Sequence, residues 1–178
     1  ASTTYNLTGL TGGVTYDWRV RSNCGTLSGS SAYSTESFTT LTPPCPDNYE
    51  SNNTSATAKT IPLNTPITAS IGAAGDIDWF KITSPNTSAT NIRIILYNLP
   101  ADYNVYLYNK SNVLIGSSIK SGTTPDTVIY NSTVKRAVYS IKVTGASNST
   151  FNANTCYSLR AESSATAYLR TAALPEMT

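Results

Sequence analysis

The chain has 178 residues, a net charge of +2 and 12% charged residues, and 39% of its residues are hydrophobic. This composition allows one or two packed domains, and it excludes the strongly basic surface of a nucleic-acid-binding protein. The chain contains no histidine, which excludes Ser-His-Asp and Cys-His catalysis and His-ligated zinc. No apolar run approaches the ~18 residues of a membrane helix. We therefore expect neither an enzyme nor a membrane-spanning protein.

The N-terminal part of the chain, residues 1–42, has the pattern of β-strands. Its central segment alternates apolar and polar residues with the period of two that a half-buried strand requires. Further strands are predicted at 5–7 and 33–40, with a polar loop between 22 and 31. The apolar positions of the central strand are Val14, Tyr16, Trp18 and Val20.

The segment from Gly9 to Val20 resembles the end of a fibronectin type III domain. In that family the residue matching Tyr16 forms a tyrosine corner, in which the hydroxyl bonds the chain a few residues upstream. Such a sandwich needs about seven strands. The resemblance therefore implies a partial domain, the last three strands, and we expect its other strands to lie outside this sequence.

A proline-rich linker, residues 43–46, separates this part from a second domain at 45–162. Three prolines within Thr42–Pro46 cannot continue a strand, and they favour an extended connection. Beyond the linker the period of two recurs and no helical period is present. About eight short, regularly spaced strands predict an all-β fold, an antiparallel β-sandwich. They lie at 67–71, 78–83, 92–97, 103–108, 113–115, 127–130, 137–143 and 156–160.

Acidic residues cluster in two segments of this second domain. Asp47 and Glu50 lie in the first segment, and Asp76 and Asp78 lie in the second, out of 10 acidic residues in the whole chain. Oxygen-rich loops of this kind suit a hard cation such as calcium. Asp and Asn side chains also build turns and cap backbone amides without any ion. The residue types leave both interpretations open.

The same segments carry a second resemblance. Tyr49–Asn53, followed by Asp76–Ile82, looks like the bacterial pre-peptidase C-terminal domain, with Ser51 where that family usually has proline. Further matches are 98–108 and 156–159. The resemblance implies a secreted, non-catalytic sandwich of jelly-roll or immunoglobulin-like type, often attached to exported enzymes.

Some relatives in that family hold calcium between the start of the domain and the Asp-x-Asp turn. The resemblance therefore implies calcium as the cofactor of this chain, with the turn-and-cap interpretation as the alternative. The implied ligands are Glu50, Asn52, Asp76 and Asp78, with Asn48 and Asn53 as weaker candidates.

The three cysteines indicate an oxidising, extracellular compartment. Cys45 opens the second domain and Cys156 lies in its last predicted strand. Because the first and last strands of a sandwich are often neighbours, we favour a Cys45–Cys156 disulfide, which would close a loop of about 110 residues. Pairing of Cys24 with Cys45 is the alternative.

Four tyrosines are candidates for contact with a carbohydrate or a protein. Tyrosines of this kind also cover the rim of a sandwich core while their hydroxyl groups stay in water. The sequence allows both roles. The four residues are Tyr103, Tyr106, Tyr108 and Tyr130.

We predict a secreted or cell-surface binding or adhesion module, without catalysis, of a modular bacterial protein. Its partners would be other domains of the same polypeptide, other copies of the chain, or an extracellular polysaccharide or protein. One alternative is an accessory domain of a secreted hydrolase. Another is a subunit of an extracellular filament assembled by strand donation. In that case the tail at 163–178, with Tyr168, Leu169 and Leu174, would be the donated strand.

Overall fold

The computed structural model describes residues 6–23, 29–41 and 45–169. The chain divides into two compact units, Ala1–Pro44 and Cys45–Thr178. All regular structure among the described residues is β-strand. Within those residues, no helix has the length and apolar character needed to cross a membrane.

The first unit contains an antiparallel strand pair, β1 (Thr15–Val20) and β2 (Ser34–Thr39). The hydroxyl group of Tyr16 accepts a hydrogen bond from the Thr11 N–H at 2.9 Å. The tyrosine-corner contact expected from the sequence is therefore present. The Tyr16 ring also stacks on Phe38, with 6.0 Å between the ring centroids.

The strand predicted at 5–7 is not a strand at Asn6 and Leu7, and Tyr5 lies outside the described residues. The described residues of this unit form one sheet of two strands, β1 and β2. Trp18 and Val20 of β1 are 43% and 52% exposed.

The second unit has nine strands, close to the predicted positions. In chain order they are β3 (Lys59–Thr60), β4 (Ile67–Ala69), β5 (Ile77–Thr83), β6 (Asn91–Tyr97), β7 (Tyr103–Tyr108), β8 (Leu114–Ser118), β9 (Asp126–Tyr130), β10 (Val138–Gly145) and β11 (Tyr157–Ser164). A five-stranded sheet has the order β3-β5-β10-β7-β8, and a four-stranded sheet has the order β4-β11-β6-β9. All neighbours are antiparallel except β3 and β5. This confirms the predicted all-β sandwich.

The core lies between the two sheets and follows the alternation seen in the sequence. Each residue that faces inward is followed by one that faces out, because successive side chains on a strand point to opposite faces. Burying a side chain of this size contributes roughly 1.5–3 kcal/mol. The fully buried side chains include Ile92, Ile94 and Leu96 from one sheet and Val105, Leu107 and Ile141 from the other.

The hairpin predicted at 109–112 joins β7 to β8. The Asn109 side-chain oxygen accepts hydrogen bonds from the N–H groups of Ser111 and Val113, at 2.9 and 3.0 Å. Asn112 adopts a φ of 61°, a left-handed conformation that asparagine tolerates better than most residues. The turn residues therefore close the hairpin, and the register of the strand pair shifts between Leu107 and Tyr108.

Cys45 and Cys156 form a disulfide, with 5.2 Å between their Cα atoms. The predicted pairing is confirmed, and the alternative Cys24–Cys45 pairing is wrong. The N–H of Cys45 also donates to the carbonyl of Ala153 at 3.0 Å, so the start of the unit is held against the segment before β11. Cys24 itself lies outside the described residues.

The tail leaves β11 after Ser164, and residues 165–169 form no strand. The Asn131 side chain donates to the carbonyl of Tyr168 at 2.9 Å and accepts from its N–H at 3.1 Å. The guanidinium group of Arg93 lies 4.6 Å from the centre of the Tyr168 ring. The described part of the tail is therefore held by its own sandwich.

We expect loss of the disulfide to lower the free energy of unfolding by about 4–5 kcal/mol, because the bond restricts a long loop in the unfolded chain. The test is urea unfolding of the double variant Cys45→Ala/Cys156→Ala, followed by circular dichroism. Cys24→Ala, which leaves this disulfide intact, is the control. A change below about 1 kcal/mol in the double variant would contradict the loop-closure account.

Candidate metal site

Three carboxylates of the second unit converge on one point. Asp47, Glu50 and Asp78 each offer an oxygen atom, and these atoms lie within 4.8 Å of one another. Asp78 is buried, Asp47 is partly buried and Glu50 is exposed, so the group extends from the core to the surface. Of the predicted ligands, Glu50 and Asp78 are thus brought together.

Asp78 is the innermost member of this group. It lies on β5, faces the core and has no exposed surface. The Tyr157 hydroxyl donates to its Oδ2 atom, whereas its Oδ1 atom has no hydrogen-bond partner among the described residues. Leaving a buried polar atom unpaired is costly. A bound cation would satisfy that oxygen.

Asp47 is oriented by two backbone amides. Its Oδ1 accepts from the Tyr49 N–H at 2.9 Å, and its Oδ2 accepts from the Ser70 N–H at 2.7 Å. The Tyr49 ring packs edge-on against Phe80, with 5.5 Å between the centroids, which secures the same segment to the core. Each carboxylate oxygen has two lone pairs, so both atoms can still approach a metal ion.

Asn52 connects the acidic loop, residues 45–53, to β5. Its backbone N–H donates to Glu50 Oε2 at 3.2 Å, and its carbonyl accepts from the Trp79 N–H at 2.9 Å. The Asn52 side chain is completely buried, and its oxygen and nitrogen have no hydrogen-bond partner among the described residues. An amide oxygen in this position is a ligand type that calcium accepts.

Asp76 is not part of the group of three. Its Oδ2 accepts from the Gly72 N–H at 2.8 Å, and its Oδ1 accepts from the Ile77 N–H at 2.9 Å. With its NH₂ group facing this carboxylate, Asn53 donates to Asp76 Oδ1 at 2.7 Å and to the Ile77 carbonyl at 2.9 Å. Asp76 therefore caps a turn, which is the alternative role that the sequence left open for these acids.

The surface beside the group is concave. A cavity of about 410 Å³ is bordered by Glu50, Asn53 and Asp76 together with the turn at 72–75. An ion can therefore approach the exposed side of the site directly from solvent. The sequence predicted Asp76 as a ligand, whereas the structure brings Asp47 into the group of three carboxylates. Asp47 lies two residues after Cys45 of the disulfide, and this position was the signal in the sequence that could have identified it.

The negative charges of the site act on one another. Burial raises the pKa of Asp78 to about 8, and the neighbouring charges of Asp47, Asp76 and Glu50 add to the rise, against the opposing hydrogen bond from Tyr157. Burial, and then the charge of Asp76, also raise the pKa of Glu50. The acids are therefore hard to ionise together without a cation.

Of the four candidate contact tyrosines, one lies in the core and another packs against it. Tyr103 is completely buried and meets Tyr157 edge-on at 5.9 Å, so its prediction as a surface contact is wrong. It shares the inward face of β7 with Val105 and Leu107. Tyr130 packs against the core beside Tyr139, with 6.2 Å between the ring centroids.

The other two tyrosines, Tyr106 and Tyr108, lie on the outer face of the five-stranded sheet, since they alternate with buried residues of β7. Trp79 of β5 joins them there, with its ring centroid 5.2 Å from that of Tyr108. Trp79 was not among the contact residues predicted from the sequence. Its alternation with Asp78 and Phe80 was the signal that could have identified it.

Comparisons with known proteins show a similarity among solved structures. A scan against models of protein families found no match, and a search of curated proteins found none. Among solved structures, the chain is similar to the crystal structure of the pre-peptidase C-terminal domain of collagenase from Bacillus anthracis. Identity is 21%, the match covers 58% of this chain and 93% of that chain, and the TM-score is 0.46. The β-sandwich assignment rests on the strands and registers of this chain itself.

We expect the metal-free protein to lose stability as pH rises. Folding raises the pKa of the Asp78 carboxyl from 3.8 to about 8. The contribution of this group to stability is therefore fully present below the pKa that it has in the unfolded chain. It is lost as the pH rises from that pKa to the pKa of the folded protein. Melting temperatures measured with a chelator should therefore fall between these two pH values, and Asp78→Asn should show a smaller fall. If the variant and the unmodified protein have parallel pH profiles, this role of Asp78 is wrong.

Proposed function

We propose that the second unit is a non-catalytic, calcium-binding β-sandwich module of an exported protein. The observation that carries the proposal is the convergence of the carboxylates of Asp47, Glu50 and Asp78, the last of which has a buried oxygen atom with no hydrogen-bond partner among the described residues. The ion would neutralise charges that otherwise repel one another. It would also join the loop after the disulfide to strand β5.

The chemistry and spacing of this group suit calcium. All three side chains offer oxygen, the ligand that hard cations prefer. Ligand oxygens at 2.3–2.6 Å from calcium are separated by at most ~5 Å, and the observed 4.8 Å limit agrees with that value. Calcium takes six to eight oxygen ligands. The amide oxygen of Asn52, backbone carbonyls and water are available to complete the set.

The ion would act as a clamp rather than as a catalyst. Asp47 and Glu50 belong to the segment that opens the unit, whereas Asp78 lies on an inner strand of the five-stranded sheet. Binding one ion to all three would hold the opening segment in place. The lack of histidine leaves no conventional base for a serine or cysteine nucleophile in this chain.

Two observations support an extracellular, modular setting. The Cys45–Cys156 disulfide favours an oxidising compartment. The tyrosine-corner bond at Tyr16 supports a fibronectin-like sandwich as the origin of the first unit. In such a protein the second unit would serve as a binding module or as an accessory domain beside a secreted hydrolase.

We expect calcium to raise the melting temperature of the protein and a chelator to reverse the change. A ligand present at a hundredfold excess over its Kd stabilises the folded state by about 2.7 kcal/mol. Asp47→Asn, Glu50→Gln and Asp78→Asn should each weaken calcium binding by about tenfold or more, which corresponds to about 1.4 kcal/mol. The measurements are isothermal titration calorimetry and thermal unfolding.

Asp17→Asn, which removes the same charge from the first unit, is the matched control and should leave the calcium affinity unchanged. Circular dichroism of each variant establishes that it is folded before the titration. If millimolar calcium produces neither heat nor a change in melting temperature, the acidic group is not a calcium site.

A further inference from the structure

We propose that the outer face of the five-stranded sheet binds an anionic polysaccharide that carries carboxylate groups. The surface concerned, called the aromatic face, consists of Trp79, Tyr106, Tyr108 and Lys142. This proposal goes beyond the calcium site and depends on separate observations. It names the kind of partner that a binding module of this shape would take.

The members of the aromatic face are placed side by side by the strand register. Lys142 of β10 lies opposite Trp79 of β5 on one side and opposite Tyr106 of β7 on the other. Neighbouring strands are ~4.8 Å apart, so this row of three side chains spans about 10 Å. Such a row makes a continuous platform across the middle of the sheet.

Two of the rings meet across the central strand. Ser140 of β10 lies opposite Tyr108, and its small side chain leaves room above the strand. The rings of Trp79 and Tyr108 approach to 5.2 Å over this region with an interplanar angle of 40°. Both rings are partly buried, so each is held in position while part of its surface stays accessible.

The charge of the face is positive. The Lys142 ammonium lies 6.0 Å from the centre of the Trp79 ring and 5.5 Å from that of Tyr106. Lys81 faces the same side from β5. No Asp or Glu occupies an outward position on the five strands of this sheet. Among the described residues, the salt bridges use arginine and glutamate side chains of the other sheet.

These features fit a sugar polymer better than a protein partner. Lysine is depleted at the centre of protein interfaces, whereas here it is the central residue. The C–H groups on one side of a sugar ring carry partial positive charge, and they pack on the negative face of an aromatic ring. A carboxylate on the sugar would form a charge-assisted hydrogen bond with Lys142.

Neutral polar side chains surround the platform and can bond sugar hydroxyl groups. They lie at outward positions on the strands that carry the aromatic residues and on the neighbouring strand β8. They lie beside the rings, where a bound polymer would pass, and Ser117 is exposed whereas Asn104 and Thr144 are partly buried. These residues are Asn104, Ser117 and Thr144.

The test is native affinity electrophoresis of the full chain in gels that contain polygalacturonate or, separately, neutral dextran. A chelator is included because polygalacturonate itself binds calcium. We expect polygalacturonate to retard the protein and dextran to have little effect. Trp79→Ala, Tyr106→Ala and Lys142→Gln should each weaken retardation by about tenfold, and high salt should reduce it.

Tyr97→Ala is the matched control, because Tyr97 is a partly buried tyrosine of the other sheet. Lys142→Gln keeps every aromatic ring, so its effect cannot arise from lost ring packing. The chain has 2 tryptophans. In a Trp18→Phe background, Trp79 fluorescence should therefore change when polygalacturonate binds.

Absence of retardation by polygalacturonate would overturn the proposal, as would equal retardation by dextran. It would also be overturned if the three variants behaved like Tyr97→Ala. The calcium proposal is tested independently, because Asp47→Asn should weaken calcium binding and leave retardation unchanged. Conversely, Lys142→Gln should weaken retardation and keep its calcium affinity.

Discussion

The buried hydrogen bond between Tyr157 and Asp78 connects the parts of the second unit on which the site depends. Asp78 lies on β5 of one sheet and Tyr157 on β11 of the other, so this contact joins the two layers across the core. Cys156 directly precedes Tyr157 and is bonded to Cys45. The first residues of the unit, its last strand and the acidic loop therefore meet at one point.

This arrangement places several acidic groups at a buried position, where the charged form of a carboxyl group is disfavoured. A buried carboxylate with one unpaired oxygen, surrounded by other acids, favours its neutral form, and the pKa of Asp78 is raised accordingly. A divalent cation would remove that repulsion and satisfy the oxygen in a single step. Stability, pH and metal binding should therefore be coupled through this residue.

Strand β5 contributes to two surfaces because its successive side chains point to opposite faces of the sheet. Asp78 faces inward to the acidic group, whereas Trp79 faces outward to the aromatic face. The backbone N–H of Trp79 is bonded to Asn52 of the acidic loop, so the two surfaces share one rigid strand. The proposed ion would hold β5 in place beneath the aromatic face, and it would not contact a ligand bound to that face.

Local pattern was sufficient for most strands of the second unit and for its core, because alternation and turn chemistry are properties of the nearby chain. It also identified Glu50 and Asp78 as members of the acidic group, but it selected Asp76 where the structure brings Asp47 into the group. Which of the two joins the group depends on Ser70 and Gly72, whose N–H groups orient the two carboxylates. Likewise, alternation separates Tyr103 from Tyr106, but only packing against the second sheet decides which of them faces water. The sequence by itself determined a β-sandwich with acidic loops. Tertiary structure decided which acids converge and which aromatic rings form a surface, because both depend on contacts between distant strands.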